Sequence, residues 1–137
     1  MADVVTKVEH YSIDIEDKVG EGFRVLETVR DGGVNLIGFW GYPMEPGRAR
    51  LEMVPESGAA LKKAIKKAAL TCSDKQTAFH ITGRDRPGAV AAVLAKLAAA
   101  GINVHAVQAA CAGPSRFGAL IYVKPEDVRN AAKALGA

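Results

Sequence analysis

Cysteine is scarce in this chain. Cys72 and Cys111 stand 39 residues apart and no C-x-x-C pair occurs, so the spacing builds neither a zinc site nor a dithiol redox motif. Two free, partly buried thiols are expected. Long apolar runs are missing: none approaches the roughly 20 residues of a membrane span. The opening MADVVTKVEH has no basic patch ahead of an apolar core, as a secretory signal would, and a cytoplasmic location is expected. Charge of one sign is also lacking, since a net +3 demands neither nucleic acid nor membrane as a partner. The aromatic-rich strand motif of RNA-recognition modules is absent. So are a Ser-His-Asp pattern, a nucleophile elbow and a phosphate-binding Gly-Lys-Ser/Thr loop. His10, His80 and His105 are scattered, without H-x-H or H-E-x-x-H spacing, and read as ordinary exposed or interface histidines. No metal, no cofactor and no catalysis are expected. What remains, 49% hydrophobic and 24% charged residues in 137, is a globular composition.

What is present is a repeat. Displaced by 68 residues, DKVGEGFRVLETVRDGGVNL (17–36) falls on DRPGAVAAVLAKLAAAGINV (85–104) without a gap. Asp17/Asp85, Gly20/Gly88, Val25/Val93, Leu26/Leu94, Gly33/Gly101 and Asn35/Asn103 are identical, and these are punctuation and core positions. Upstream, Tyr11 and Ile13 fall on Phe79 and Ile81. The chain therefore divides into two copies of one unit, 1–70 and 71–137.

Each copy has the same order of elements. An alternating strand comes first, YSIDI (11–15) or TAFHIT (77–82), with Tyr11, Ile13 and Ile15 on one face and Ser12 and Asp14 on the other. A helix follows, whose stripe in the second copy is Val90, Val93, Leu94 and Leu97 at i, i+3, i+4 and i+7. Then come a strand (34–39 or 102–107), a Pro- and Gly-rich turn (41–47 or 111–118) and another strand (49–54 or 119–123). A closing helix (56–69 or 125–135) ends each copy. In the first, Leu61, Ala64, Ile65 and Ala68 are expected inward, and Lys62, Lys63, Lys66 and Lys67 form a solvated opposite face. The order β-α-β-β-α predicts α+β architecture: two ferredoxin-like units of βαββαβ type, each an antiparallel sheet covered by helices on one face.

The loop entering the repeated helix carries the functional signal. Gly101 suits the left-handed position after a helix. Pro87 fits a first helical turn, and Gly88 leaves backbone N–H groups open at a helix N-terminus, which favours a carboxylate or phosphate. Asp85 suits either a capping role or acceptance of a hydrogen bond from an ammonium group. A plain strand-to-helix connection would carry the same residues.

DRPGAVAAVLAKLAAAGINV resembles the signature of the ACT domain, the small-molecule-binding regulatory module of amino-acid metabolism. The first copy is similar, with Val19 in place of the proline, and the resemblance runs over residues 8 to 135. It implies ligands, commonly amino acids, between neighbouring units. They would contact the first strand-to-helix loop of one unit and the start of the second strand of another. Carried over, the loop positions are Asp17, Lys18, Gly20, Glu21 and Gly22, and Asp85, Arg86, Gly88, Ala89 and Val90. The strand positions are Asn35, Leu36, Asn103 and Val104; His105 shares parity with Asn103. A family unit ends in a fourth strand, for which this chain has only LTCSDK (70–75) in the first copy and no room in the second. The edge is left open, filled by ADVVTKV (2–8), or filled by another chain.

The resemblance implies a stand-alone tandem regulatory protein, dimeric, that binds an amino acid or similar metabolite and acts through a partner such as a regulated enzyme. The other readings are a ligand-free interaction module of the same fold and an enzyme using His105 or Cys111.

Overall fold

The computed structural model describes residues 2–137. Its elements are β1 (Val4–Glu16), α1 (Glu21–Asp31), β2 (Leu36–Pro43), β3 (Arg48–Pro55), α2 (Gly58–Lys67), β4 (Gln76–Arg84), α3 (Ala89–Ala99), β5 (Ala106–Cys111), β6 (Arg116–Tyr122) and α4 (Val128–Leu135). They form two compact units, residues 9–76 and residues 77–137 with 1–8, where the repeat suggested a division at 70/71. Both are ferredoxin-like α+β units.

In the first unit, β3 lies between β1 and β2, antiparallel to both, with Tyr11 opposite Met53 and Phe39 opposite Met53 on its other side. Tyr11, Ile13, Leu51 and Met53 point to the helices, where Val25, Val29, Leu61 and Ile65 close a dry core. The alternation of β1 produces this directly, because successive side chains face opposite sides of a sheet. The two helices approach closely. A Cβ added to Gly32 would lie 2.6 Å from the Cβ of Ala64, so glycine here makes room for α2.

The second unit repeats the plan. β6 lies between β4 and β5, with Phe79 opposite Ile121 and Val107 opposite Ile121. Phe79, Ile81, Val93, Leu97, Ile121, Ala131 and Leu135 form its core. The 68-residue displacement survives in the hydrogen bonds. Asp17 N–H donates to the Gly47 carbonyl at 3.0 Å and Asp85 N–H to the Ser115 carbonyl at 2.9 Å. Each tethers the loop before a helix to the hairpin turn of its own unit.

The fourth-strand positions are filled differently. In the first unit, residues 70–75 run beside β1: Ser73 N–H donates to the Ser12 carbonyl at 2.9 Å and Ser12 N–H to Ser73 Oγ at 2.9 Å. Leu70 and Cys72 pack on the core. In the second unit the N-terminus does the work. Residues 4–8 of β1 lie beside β4, with Val5 on the core and Thr6 Oγ1 donating to the His80 carbonyl at 3.4 Å. Asp3 anchors this segment through a paired contact with Arg86, 3.1 and 3.2 Å. Gly83 leaves the space, since a Cβ there would sit 2.0 Å from Asp3 Oδ1.

Several boundaries move from the sequence expectation. β2 and β5 begin later than 34 and 102 and run on to Pro43 and Cys111, so the turns shrink to 44–47 and 112–115. Proline and glycine marked loops too broadly because both strands are sheet edges, where a missing N–H is tolerated. The helix expected over 56–69 is Gly58–Lys67, capped by Ser57 Oγ from Ala60 N–H at 3.2 Å. It ends as Ala69 turns left-handed at φ 56°, leaving Ala68 exposed rather than inward. The closing helix of the second unit splits into a 3-10 turn, Pro125–Asp127, and α4.

Candidate functional site

The loop 85–88 turns β4 into α3. Pro87 lies before the helix rather than inside its first turn, and Gly88 is the residue that begins it, at φ 79°. A Cβ at Gly88 would meet nothing within 4 Å, so the glycine is required by its left-handed backbone and not by space. Gly20 repeats this at φ 89° in the first unit. Neither helix start has a side-chain cap, which removes the capping role considered for Asp85. The first turn of α3, whose Ala89 N–H is taken by the Arg86 carbonyl at 3.2 Å, instead lines an open cleft of 300 Å³.

One wall of the cleft is the loop and helix start: Asp85, Arg86, Gly88, Ala89 and Val90, all five of the second copy's expected loop residues. The other wall is the edge strand, Ala109, Ala110 and Cys111, with Phe117 behind. The sequence placed Cys111 at the opening of a turn and so missed this wall. Cys111 is exposed rather than partly buried as expected, and its thiol hydrogen-bonds to the Asp85 carboxylate, which pushes the thiol above its usual range. Arg86 is held by Asp3 and lies 5.9 Å over the Phe117 ring. The cleft thus combines an uncompensated helix N-terminus, where α3 has no acid in its first turn, with one acidic oxygen pair and small side chains. That set matches a zwitterion: carboxylate toward the N–H groups, ammonium toward Asp85.

The first unit's loop is chemically different. Glu21 stands where the second copy has Ala89, and its carboxylate pairs with Arg24 at 3.0 Å in the first turn of α1. The helix start therefore already carries an anion. Asp17 and Gly20 are exposed, Lys18 pairs with Glu16 at 3.0 Å, and Gly22 lies in the first turn of α1.

The strand positions lie elsewhere. Asn35 donates to Glu56 Oε1 at 2.6 Å while its carbonyl accepts from Glu56 N–H at 2.9 Å. With Leu36, it lines an open cleft at the end of α1. Asn103 is exposed and Val104 packs on the second core. Eleven residues of α3, about 16 Å of helix, separate the loop 85–88 from Asn103. Within one unit the two sets do not meet.

A polar cluster that sequence reasoning missed lies in the first unit. His10 and Glu52 are both buried, 4% and 7% exposed, although His10 was expected at a surface or interface. His10 Nε2 lies 2.9 Å from Glu52 Oε1, and its Nδ1 lies 3.1 Å from Gln76 Oε1. Ser12 and Tyr42 hydroxyls also donate to the Glu52 carboxylate. Burial pushes that carboxyl up, but the hydrogen bonds from His10, Ser12 and Tyr42 outweigh it and bring it down to about 2. Trp40 stacks on the His10 ring, 5.7 Å between centroids. The hydroxyl of Ser12 points to the carboxylate and not to the imidazole, so the set is not arranged as a nucleophile and base. Among the described residues, no group of three or more His, Cys, Asp or Glu side chains could hold a metal ion. No helix among the described residues is long and apolar enough to cross a membrane.

These features define a class: an α+β protein of two ferredoxin-like units, one of which carries an open cleft at a glycine-led helix. Residues 80–137 match the model of the ACT domain. Among solved structures, protein BT0572 from Bacteroides thetaiotaomicron is similar, with a TM-score of 0.82 and 20% identity over 96% of this chain and 88% of that one. The ligand-free regulatory subunit of aspartate kinase from Thermus thermophilus gives 0.66 and 14%, covering 98% and 94% of the two chains. The corresponding subunit from Thermus flavus gives 0.60 and 16%, covering 99% and 95%. At these identities the likeness is one of fold. No curated protein sequence matches the chain.

Proposed function

We propose that this protein is a regulatory sensor for an amino acid or a similar small zwitterion, bound in the cleft at the start of α3. The observation that carries this reading is the Asp85 carboxylate beside a helix start with no side-chain cap, on one wall of a 300 Å³ cleft. A helix start attracts a carboxylate through its unsatisfied N–H groups and partial positive charge. Asp85 offers the counter-pole for an ammonium group. The match of residues 80–137 to the ACT domain and the fold shared with regulatory subunits of aspartate kinase support a regulatory role.

The site is completed by a second copy. Gly88 and Asn103 lie at opposite ends of α3, so the strand contribution, Asn103 and Val104 or Asn35 and Leu36, comes to the ligand from a neighbouring unit. A ligand that bridges units binds the associated form better and shifts the protein toward it. The dimer passes the signal to a partner such as an enzyme of the same metabolism. The two loops are not equivalent: Glu21 occupies the first unit's helix start, and the second unit's cleft is the primary site.

Thermal-shift screening with the standard amino acids tests this. A ligand at a hundredfold excess over its dissociation constant adds about 2.7 kcal/mol, which raises the midpoint by several degrees for a chain of this size. The shift is expected to vanish in Asp85→Asn and Gly88→Val and to persist in Asp17→Asn. If no amino acid shifts the midpoint, the ligand-free interaction module of the same fold replaces this reading.

A further inference from the structure

We infer that the outer face of α2 is a docking surface for an acidic segment of a partner protein. α2 carries Lys62, Lys63, Lys66 and Lys67, all exposed, and no acid. The rest of the chain has 14 basic and 15 acidic residues, so the whole of the net positive charge resides on this one helical face. On α1 the cations are matched locally, Arg24 by Glu21 and Arg30 by Glu27 and Asp31. Among the described residues, no ion pair engages the four lysines of α2; Lys62 only reaches over the Tyr11 ring, 6.0 Å away.

The repeat shows that the fold does not need these charges. Matching the inward residues Leu61, Ala64 and Ile65 of α2 to Val128, Ala131 and Ala132 of α4 sets Lys62 and Lys66 on Arg129 and Lys133. Lys63 and Lys67 then fall on Asn130 and Ala134. α4 is also preceded by Glu126 and Asp127, which balance its two cations. Like charges at i, i+4 oppose a helix, and α2 holds two such pairs, Lys62/Lys66 and Lys63/Lys67, where its counterpart holds one.

The chemistry of the face selects among anions. Its four ammonium groups lie within two turns, with no arginine or aromatic side chain to read or stack on nucleic acid. The apolar side of α2 is buried in its own core through Leu61, Ala64 and Ile65, so it offers a membrane nothing to insert. Carboxylates spaced one helical turn apart, about 6 Å, match the Lys62/Lys66 and Lys63/Lys67 rows. This inference stands on the charge distribution and is independent of the ligand cleft.

The test uses the full chain and a labelled helical peptide bearing glutamates at i, i+4, followed by fluorescence anisotropy at low and physiological salt. Lys63→Gln with Lys66→Gln should weaken binding about tenfold or more, since both lysines meet carboxylates at the face. Arg129→Gln with Lys133→Gln removes the same charge from α4 and should leave affinity within about twofold, since α4 carries no face of four unmatched lysines. Circular dichroism melts verify that both variants fold, and Lys63→Glu with Lys66→Glu should bind a lysine-bearing peptide instead. Equal loss in the two glutamine variants, no binding of the glutamate peptide, or tighter binding of duplex DNA or phosphatidylserine vesicles would each overturn the inference.

Discussion

Acid should loosen the first unit through one residue. The Glu52 carboxyl lies at about 2 in the folded protein against an ordinary 4.5. A carboxylate whose folded value is depressed contributes stability that is complete above the unfolded value and is lost as the pH falls through the folded one. The window is therefore pH 4.5 down to about 2. The shift corresponds to about 3 kcal/mol, at 1.36 kcal/mol per pH unit. Glu52→Gln removes the ionisable group while keeping the shape, so its stability should lack this slope. At pH 7 the variant should be less stable by about 2 to 4 kcal/mol, because His10, Ser12 and Tyr42 lose a charged acceptor in a buried place. Urea unfolding followed by fluorescence reports on the cluster directly, since Trp40 is the only tryptophan and stacks on His10. Other carboxylates also respond to acid, Asp14 with its Arg50 partner among them, so the informative quantity is the difference between wild type and variant at each pH. If that difference is the same at pH 6 and pH 3, the hydrogen bonds do not hold Glu52 ionised and the reasoning fails.

Three further outcomes follow from the fold. Gly88→Ala should cost about 1 to 2 kcal/mol from the left-handed backbone alone; a melt unchanged from wild type would contradict φ 79° at this position. Gly32→Ala should cost about 1 to 3 kcal/mol by pushing α1 off α2, and Ala64→Gly should restore part of it in a double-mutant cycle, whereas additive losses would show that the helices do not meet there. Removing residues 1–8 should speed amide exchange along β4, Gln76–Arg84, and destabilise the second unit by at least about 2 kcal/mol through loss of Val5 burial and the Asp3–Arg86 pair; unchanged protection of β4 would show that the N-terminal segment does not cover it.

Much of this architecture was legible because the repeat falls on residues with local jobs. Gly20 and Gly88 are both left-handed at a helix start, and Gly33 and Gly101 are both left-handed after one. Val25, Val29, Val93 and Leu97 face inward as their spacing required. What escaped was non-local. Glu52 sits in ARLEMV at an outward position of an alternating strand, which ordinarily means solvent. Its donors come from β1 and β2, and no spacing along the chain announces them. The wall formed by Ala109, Ala110 and Cys111 was hidden because an edge strand tolerates the Gly and Pro that follow it. The partner of the second unit's edge was visible only as one of three possibilities, since Asp3 finds Gly83 and Arg86 through more than 75 residues of intervening chain. The loop chemistry was partly readable. Glu21 against Ala89 already distinguishes the copies, but the absence of any side-chain cap at Gly88 required coordinates.

The central claim is that the cleft at Gly88 receives a zwitterion, and calorimetric titration of the full chain with individual amino acids tests it most directly. The account predicts saturable heat from at least one of them, abolished by Asp85→Asn and retained in Asp17→Asn. No heat from any amino acid, or equal loss in both variants, would contradict it.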